Sequence, residues 1–178
     1  MRRAPAGHAA NLLGALALGV TDRTGDAVAA ASDHSQTAAA ALSALHQFLD
    51  GPTIDRLAQV VGLTQSGAVR LVDRLERDGY VRRGPGPDGR TRSVILTPSG
   101  RRAAEHVEAL RRRVLEEALD SLTGAERQTL ADLMGRVLVG MMREPGAVRW
   151  TCRLCDLAAC GRPDGYCPIE REARARYG

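Results

Sequence analysis

Between Thr53 and Gly100 the apolar positions recur first every three or four residues and then in short continuous runs, and that change of period predicts two helices followed by a hairpin. After Gly51 and Pro52, Thr53 is placed to cap a helix whose inward positions are Ile54, Leu57, Ala58 and Val61, and Gly62 ends it. Leu63 connects. Thr64 can cap a second helix with Ala68, Val69, Val72 and Leu75 buried, which leaves Gln65, Ser66, Arg70, Arg74 and Arg77 on the opposite face until Asp78-Gly79 stops it. Tyr80 to Arg83 and Arg92 to Thr97 then read as extended arms. The second carries Val94, Ile95 and Leu96, and the two flank Gly84-Pro85-Gly86-Pro87-Asp88-Gly89, a glycine-proline tip.

Elsewhere the pattern is helical. Asn11 to Ala31 and Gln36 to Leu49 are alanine- and leucine-rich, and Thr97-Pro98 opens a long helix through Val107, Leu110, Val114, Leu115 and Leu119, with Arg111-Arg112-Arg113 expected on its exposed side. Thr123 and Glu126 have capping-box spacing before a helix with Leu130, Leu133, Met134, Val137, Leu138 and Met141, which stops at Pro145-Gly146. That last helix is apolar over more than one face. Such a helix buries against a partner, which fits an interlaced homodimer built from the two ends of the chain.

Charge changes the picture of the central unit. From Arg70 to Arg102 nine arginines stand against Asp73, Glu76, Asp78 and Asp88, a local +5 in a chain whose net charge is only +4. The arms of the hairpin carry Arg82, Arg83, Arg90 and Arg92. Concentrated positive charge suits phosphate binding, and long guanidinium side chains behind the short polar turn Gln65-Ser66 suit a helix seated in a major groove. All 25 basic residues are arginine; this fits bidentate contacts, and the base composition of the genome accounts for it equally well.

At these residues the chain resembles the MarR-type winged-helix transcriptional regulators. Leu63-Thr64-Gln65-Ser66, Val69-Arg70-Leu71-Val72-Asp73-Arg74-Leu75-Glu76 and Asp78-Gly79-Tyr80-Val81-Arg82-Arg83 are similar to that family's recognition helix and first wing strand. Asp88-Gly89-Arg90 resembles its wing motif, and Leu96-Thr97-Pro98-Ser99-Gly100 its exit into the next helix. Gly67 departs from the pattern, at a helix-propensity cost of roughly 1 kcal/mol. The resemblance spans about residues 8 to 145. It implies a mainly α fold with a small β-hairpin wing and N- and C-terminal dimerisation helices, in which residues 53 to 100 form the winged unit. It further implies a homodimer on a pseudo-palindromic operator in double-stranded DNA, recognition helices in successive major grooves and wing arginines at the minor groove. The DNA-contacting set on this reading is Gln65, Ser66, Arg70, Arg74, Arg90 and Arg92.

Length and composition agree with one modest domain and an extension. Aromatic residues are 3% of the 178 positions, so packing must rest on Leu, Val and Ala, helix against helix. Arg2-Arg3 before Leu12 to Val20 has the outline of a signal peptide, yet His8 and Asn11 interrupt it and no cleavage site follows promptly. A cytoplasmic protein without a membrane span is expected. The scattered histidines His8, His34, His46 and His106 receive no role, and nothing resembling a phosphate loop, triad or paired-carboxylate site suggests an enzyme.

The remaining chemistry lies in residues 146 to 178, a cysteine-rich tail. All four cysteines are there, as Cys152-x2-Cys155-x4-Cys160-x6-Cys167 followed by Pro168, with Gly161, Pro163 and Gly165 allowing tight turns. In a reducing compartment such clustering argues for metal binding over structural disulfides. A tetrahedral zinc site is the plain reading. An iron-sulfur cluster is the favoured one, since the helical body needs no metal staple and cysteine-proline at the fourth ligand recurs in iron-sulfur runs. Over these few residues the tail also resembles the [2Fe-2S] segment of redox-sensing MerR-type regulators, with longer second and third gaps. A redox disulfide is a third possibility. Two functions follow: a repressor controlled by an iron-sulfur cluster, or a ligand-responsive or constitutive repressor with structural zinc, its small-molecule effector unknown. Trp150 is expected to pack the tail against the body.

Overall fold

The computed structural model describes residues 5–31, 35–86, 91–142 and 150–177. Seven helices and one hairpin are found among them: α1 His8–Ala31, α2 Gln36–Gln47, α3 Ile54–Val61, α4 Gln65–Arg77, β1 Val81–Pro85, β2 Arg92–Leu96, α5 Pro98–Ala118, α6 Gly124–Met141 and α7 Pro168–Tyr177. The caps explain the boundaries. Thr53, Thr64, Thr97 and Thr123 each accept a backbone N–H three residues on, satisfying a donor that the first turn would otherwise orphan. At Thr123 the Glu126 carboxylate also accepts the Thr123 backbone N–H, completing the capping box.

The core sits where α2, α3, α4 and the hairpin meet the start of α5, around Leu42, Leu57, Val60, Val72, Leu75, Val81 and Val94. On α4 the inward positions are Ala68, Val72 and Leu75, with Leu71 half-buried. Val69, expected in that stripe, is instead 37% exposed. It lies about 100° around the helix from Ala68, so the row i, i+4, i+7 that faces α3 passes it by.

β1 and β2 pair antiparallel from Val81↔Leu96 to Pro85↔Arg92, and Thr53 adds a bridge to Ser93. The start of α5 clamps the exit of α4. Thr97 Oγ1 donates to the Gly79 carbonyl at 2.6 Å while accepting from Gly100 N–H at 3.0 Å, and Ser99 Oγ donates to Gly79 at 2.8 Å. Gly100 is required here, because a Cβ would overlap the Tyr80 carbonyl oxygen.

α1 and α6 leave apolar faces uncovered. Leu12, Leu13, Leu16 and Leu18 on α1, and Leu133, Met134, Val137, Leu138 and Met141 on α6, are all exposed in the single chain. Within the chain α6 packs on α7 of the tail, where Gly135 admits Pro168, whose Cγ would stand 3.2 Å from an added Cβ. No described helix is long and apolar enough to cross a membrane.

Candidate functional site

The outer face of α4 carries the predicted DNA-facing residues. Gln65, Ser66, Arg70 and Arg74 are exposed there, and Arg92 is exposed on β2. Gln65 and Val69 share a shallow depression with Ile54, Thr91 and Arg92, so the start of α4 and the tip end of strand β2 form one surface. Arg74 Nε lies 3.8 Å from Asp78 Oδ2 on the same helix. Arg90 lies outside the described residues, as do Asp88 and Gly89 of the wing motif.

Arg83 differs from the arginine cluster to which its sequence position assigned it. Its Nη2 binds Asp73 Oδ1 at 2.6 Å and its Nη1 binds Glu76, while its backbone N–H donates to Glu76 Oε1 at 3.0 Å. These carboxylates belong to α4, so Arg83 fastens the wing to that helix, its guanidinium engaged by two partners within the chain. The hydrogen bond to Asp73 is the main reason its pKa is raised. Sequence spacing could not find this pairing, because the ten residues from Asp73 to Arg83 include the turn that folds β1 back along α4.

In the tail, all four cysteines are unpaired by disulfides and converge on one small apolar cluster with Met142 and Ile169. Cys152 and Cys167 are buried, Cys155 and Cys160 half-buried. Cys152 hydrogen-bonds to Cys155, and Cys160 lies within reach of Cys167 and of the Leu157 carbonyl at 3.5 Å. The Cys152 bond moves the Cys155 thiol down to about 7 against burial, with Arg111 and then Arg162 assisting. The same bond pushes Cys152 up, joined by burial, and burial pushes Cys160 up. Among the described residues no group of three or more histidine, cysteine or carboxylate side chains stands as a ready-made ion site; the thiols form two neighbouring pairs. The donor set is nevertheless of the kind that holds a thiolate-ligated centre, because the four cysteines pack in one small cluster and Arg111 and Arg162 lie near Cys155 to offset anionic charge.

Arg111 departs from its expected place on the exposed side of α5. The segment from Trp150 to Leu157 lies along this helix, and burial lowers the Arg111 pKa while Cys155 opposes the shift. His46 is a satisfied interhelical group, its Nδ1 lying 3.1 Å from Glu108 Oε1.

A helix-turn-helix with a two-stranded wing, its arginine-bearing second helix facing outward, is a recurring DNA-reading arrangement, and the MarR family model matches residues 32–91. The winged-helix unit is similar to the MarR family of transcriptional regulators. Among solved structures, a MarR family protein from Bacillus stearothermophilus superposes with a TM-score of 0.69 at 24% identity, covering 77% of this chain and 95% of that one. MepR, a transcription regulator of the Staphylococcus aureus multidrug efflux pump MepA, gives 0.65 at 17% identity, over 75% of this chain and 98% of its own. A probable transcriptional regulator from Pseudomonas aeruginosa gives 0.54 at 28% identity, over 70% and 95%. No curated protein matches the chain. The family match ends at residue 91, so it says nothing of the cysteine tail.

Proposed function

We propose that this MarR-type regulator is a homodimeric repressor whose operator affinity is set by an iron-sulfur cluster, [2Fe-2S] in the favoured form, held by Cys152, Cys155, Cys160 and Cys167. The observation that carries the proposal is the packing of four free cysteines in one small cluster, with Arg111 and Arg162 near Cys155, on a tail that touches both Gly62 of the winged unit and α6. When bound, the cluster would supply a one-electron change at that junction.

The DNA-reading residues are those the sequence assigns. Gln65, Ser66 and Arg70 offer donors and acceptors to base edges, and Arg74, Arg90 and Arg92 serve phosphates; Val69, which the sequence placed inside and the structure exposes, adds methyls for thymine. Dimerisation covers the apolar faces of α1 and α6, which an isolated chain would leave in water. A dimer occupying two successive grooves excludes other proteins from that stretch, hence repression. The domain division follows: residues 8 to 145 dimerise and bind DNA, and residues 146 to 178 hold the metal.

Protein purified without oxygen is the test. Visible absorption from sulfur-to-iron charge transfer, with stoichiometric iron and sulfide, is expected, and serine at any of the four cysteines should abolish it. Removing the cluster should change operator affinity in gel-shift titration. Colourless protein carrying stoichiometric zinc, or equal affinity with and without the cluster, would overturn the reading.

A further inference from the structure

We propose that Trp150 is the contact through which the cysteine tail acts on the DNA-reading helices. The proposal rests on the reading of the four cysteines as a regulatory centre and names the route by which their state reaches α4. The indole of Trp150 lies directly against Gly62, the residue in left-handed conformation (φ +69°) that closes α3 and begins the turn into α4. A Cβ at Gly62 would overlap the ring at Cζ3 and Cη2, so the contact is with the backbone of the turn itself. Glycine is therefore required at 62 twice over, by its φ and by the ring.

The ring is coupled to the cysteines by the chain around it. Cys152 follows two residues later. Arg153 stacks on the indole at 3.7 Å from the ring centroid and donates from Nη1 to the Trp150 carbonyl at 2.7 Å, so the first ligand is flanked by a rigid Trp-Arg pair. The second ligand is fixed to the body. Leu154 packs on the main core, Leu157 N–H donates to Gln47 Oε1 on α2 at 3.1 Å, and Asp156 lies 3.8 Å from Arg112 on α5. Cys155 is thus anchored on the α2–α5 face while Trp150, on the other side of Cys152, rests on the helix-turn-helix. A change in how Cys152 and Cys155 are held must alter the geometry between a fixed point and the turn.

Space for that movement exists. A cavity of about 220 Å³ lies between α1, α2 and α5 on one side and Trp150, Arg153 and Leu154 on the other, so the indole is packed on its Gly62 edge and loose behind. The close contact at Gly62 passes displacement on, because packed atoms transmit strain, and the space behind the ring leaves it room to shift.

Trp150 is the sole tryptophan, which makes its own fluorescence the reporter. In the full-length protein, adding operator DNA is expected to shift the emission maximum or the acrylamide quenching, because the ring sits on the turn that leads into α4. Removing metal from the tail by chelation is expected to shift them again. Trp150→Ala should keep the metal content, the visible spectrum and the dimer, yet bring the holo-to-apo ratio of operator affinities from the wild-type value to within twofold of one. Trp150→Phe, which keeps an aromatic edge, should restore most of that ratio. A Trp150→Ala protein whose ratio equals wild type would overturn the inference and leave the regulatory role of the cysteines standing. A wild-type protein without a metal-dependent affinity would remove that role, and emission unaltered by operator would then overturn the Trp150 contact independently.

Discussion

Replacing Arg83 by methionine keeps an unbranched apolar stem and deletes the guanidinium charge, which separates two readings of the wing. In the structure the guanidinium binds Asp73 and Glu76 of α4. Its side chain is 27% exposed and its partners are 47% and 35% exposed, so both pairs feel solvent. Pairs of this kind contribute about 0.2–1 kcal/mol each, and the shared fork places the pair of them at about 1–2 kcal/mol. For a chain of this size that corresponds to a fall of roughly 3–6 °C in Tm. Much of the difference should vanish near 1 M salt, where the screening length shrinks to about 3 Å. In gel-shift titrations across a salt series, Arg83→Met should leave the slope of affinity against salt at the wild-type value. Arg70→Ala or Arg92→Ala, at exposed positions, should reduce it by about 0.9 for each phosphate that the variant no longer neutralises. The reasoning is refuted if Arg83→Met melts like wild type and lowers the slope by about 0.9, since the side chain would then serve DNA and not α4.

Two further perturbations test the scaffold. Gly100→Ala drives a methyl into the Tyr80 carbonyl at the clamp between α4 and α5, and an expected loss of about 3 kcal/mol or more in urea unfolding checks it. Glu126 is held below the usual carboxylate range first by the Thr123 hydroxyl and then by its backbone N–H. A carboxylate with a depressed folded pKa contributes stability above its unfolded value near 4.3 and loses it as pH falls through the folded value. The melting difference between wild type and Thr123→Ala should therefore be widest at neutral pH and narrow below about pH 4, and a constant difference across that range would contradict the capping-box account.

Much of this protein is legible in one dimension because its signals are local. Four threonines three residues before a backbone donor mark four helix starts, Gly62 and Asp78-Gly79 mark two ends, and the change from helical to strand spacing at Tyr80 marks the wing. Each depends on residues within a turn of one another, so sequence distance and spatial distance agree. The four clustered cysteines are legible for the same reason. Arg83 and Arg111 are not, and for Trp150 the packing of the tail on the body was legible but not the Gly62 turn that it meets. A guanidinium is equally at home facing phosphate, a carboxylate on the neighbouring helix or a buried thiol, and only the path of the chain decides which of them it meets. Val69 shows the same limit at smaller scale, since its spacing admits two faces and the crossing of α3 over α4 selects the other one. Local chemistry thus determined the elements, their caps and the clustering of the four cysteines. The tertiary structure alone decided which arginines are engaged inside the protein and that the tail rests on the turn before the DNA-reading helix, because those are interactions between segments far apart in the chain.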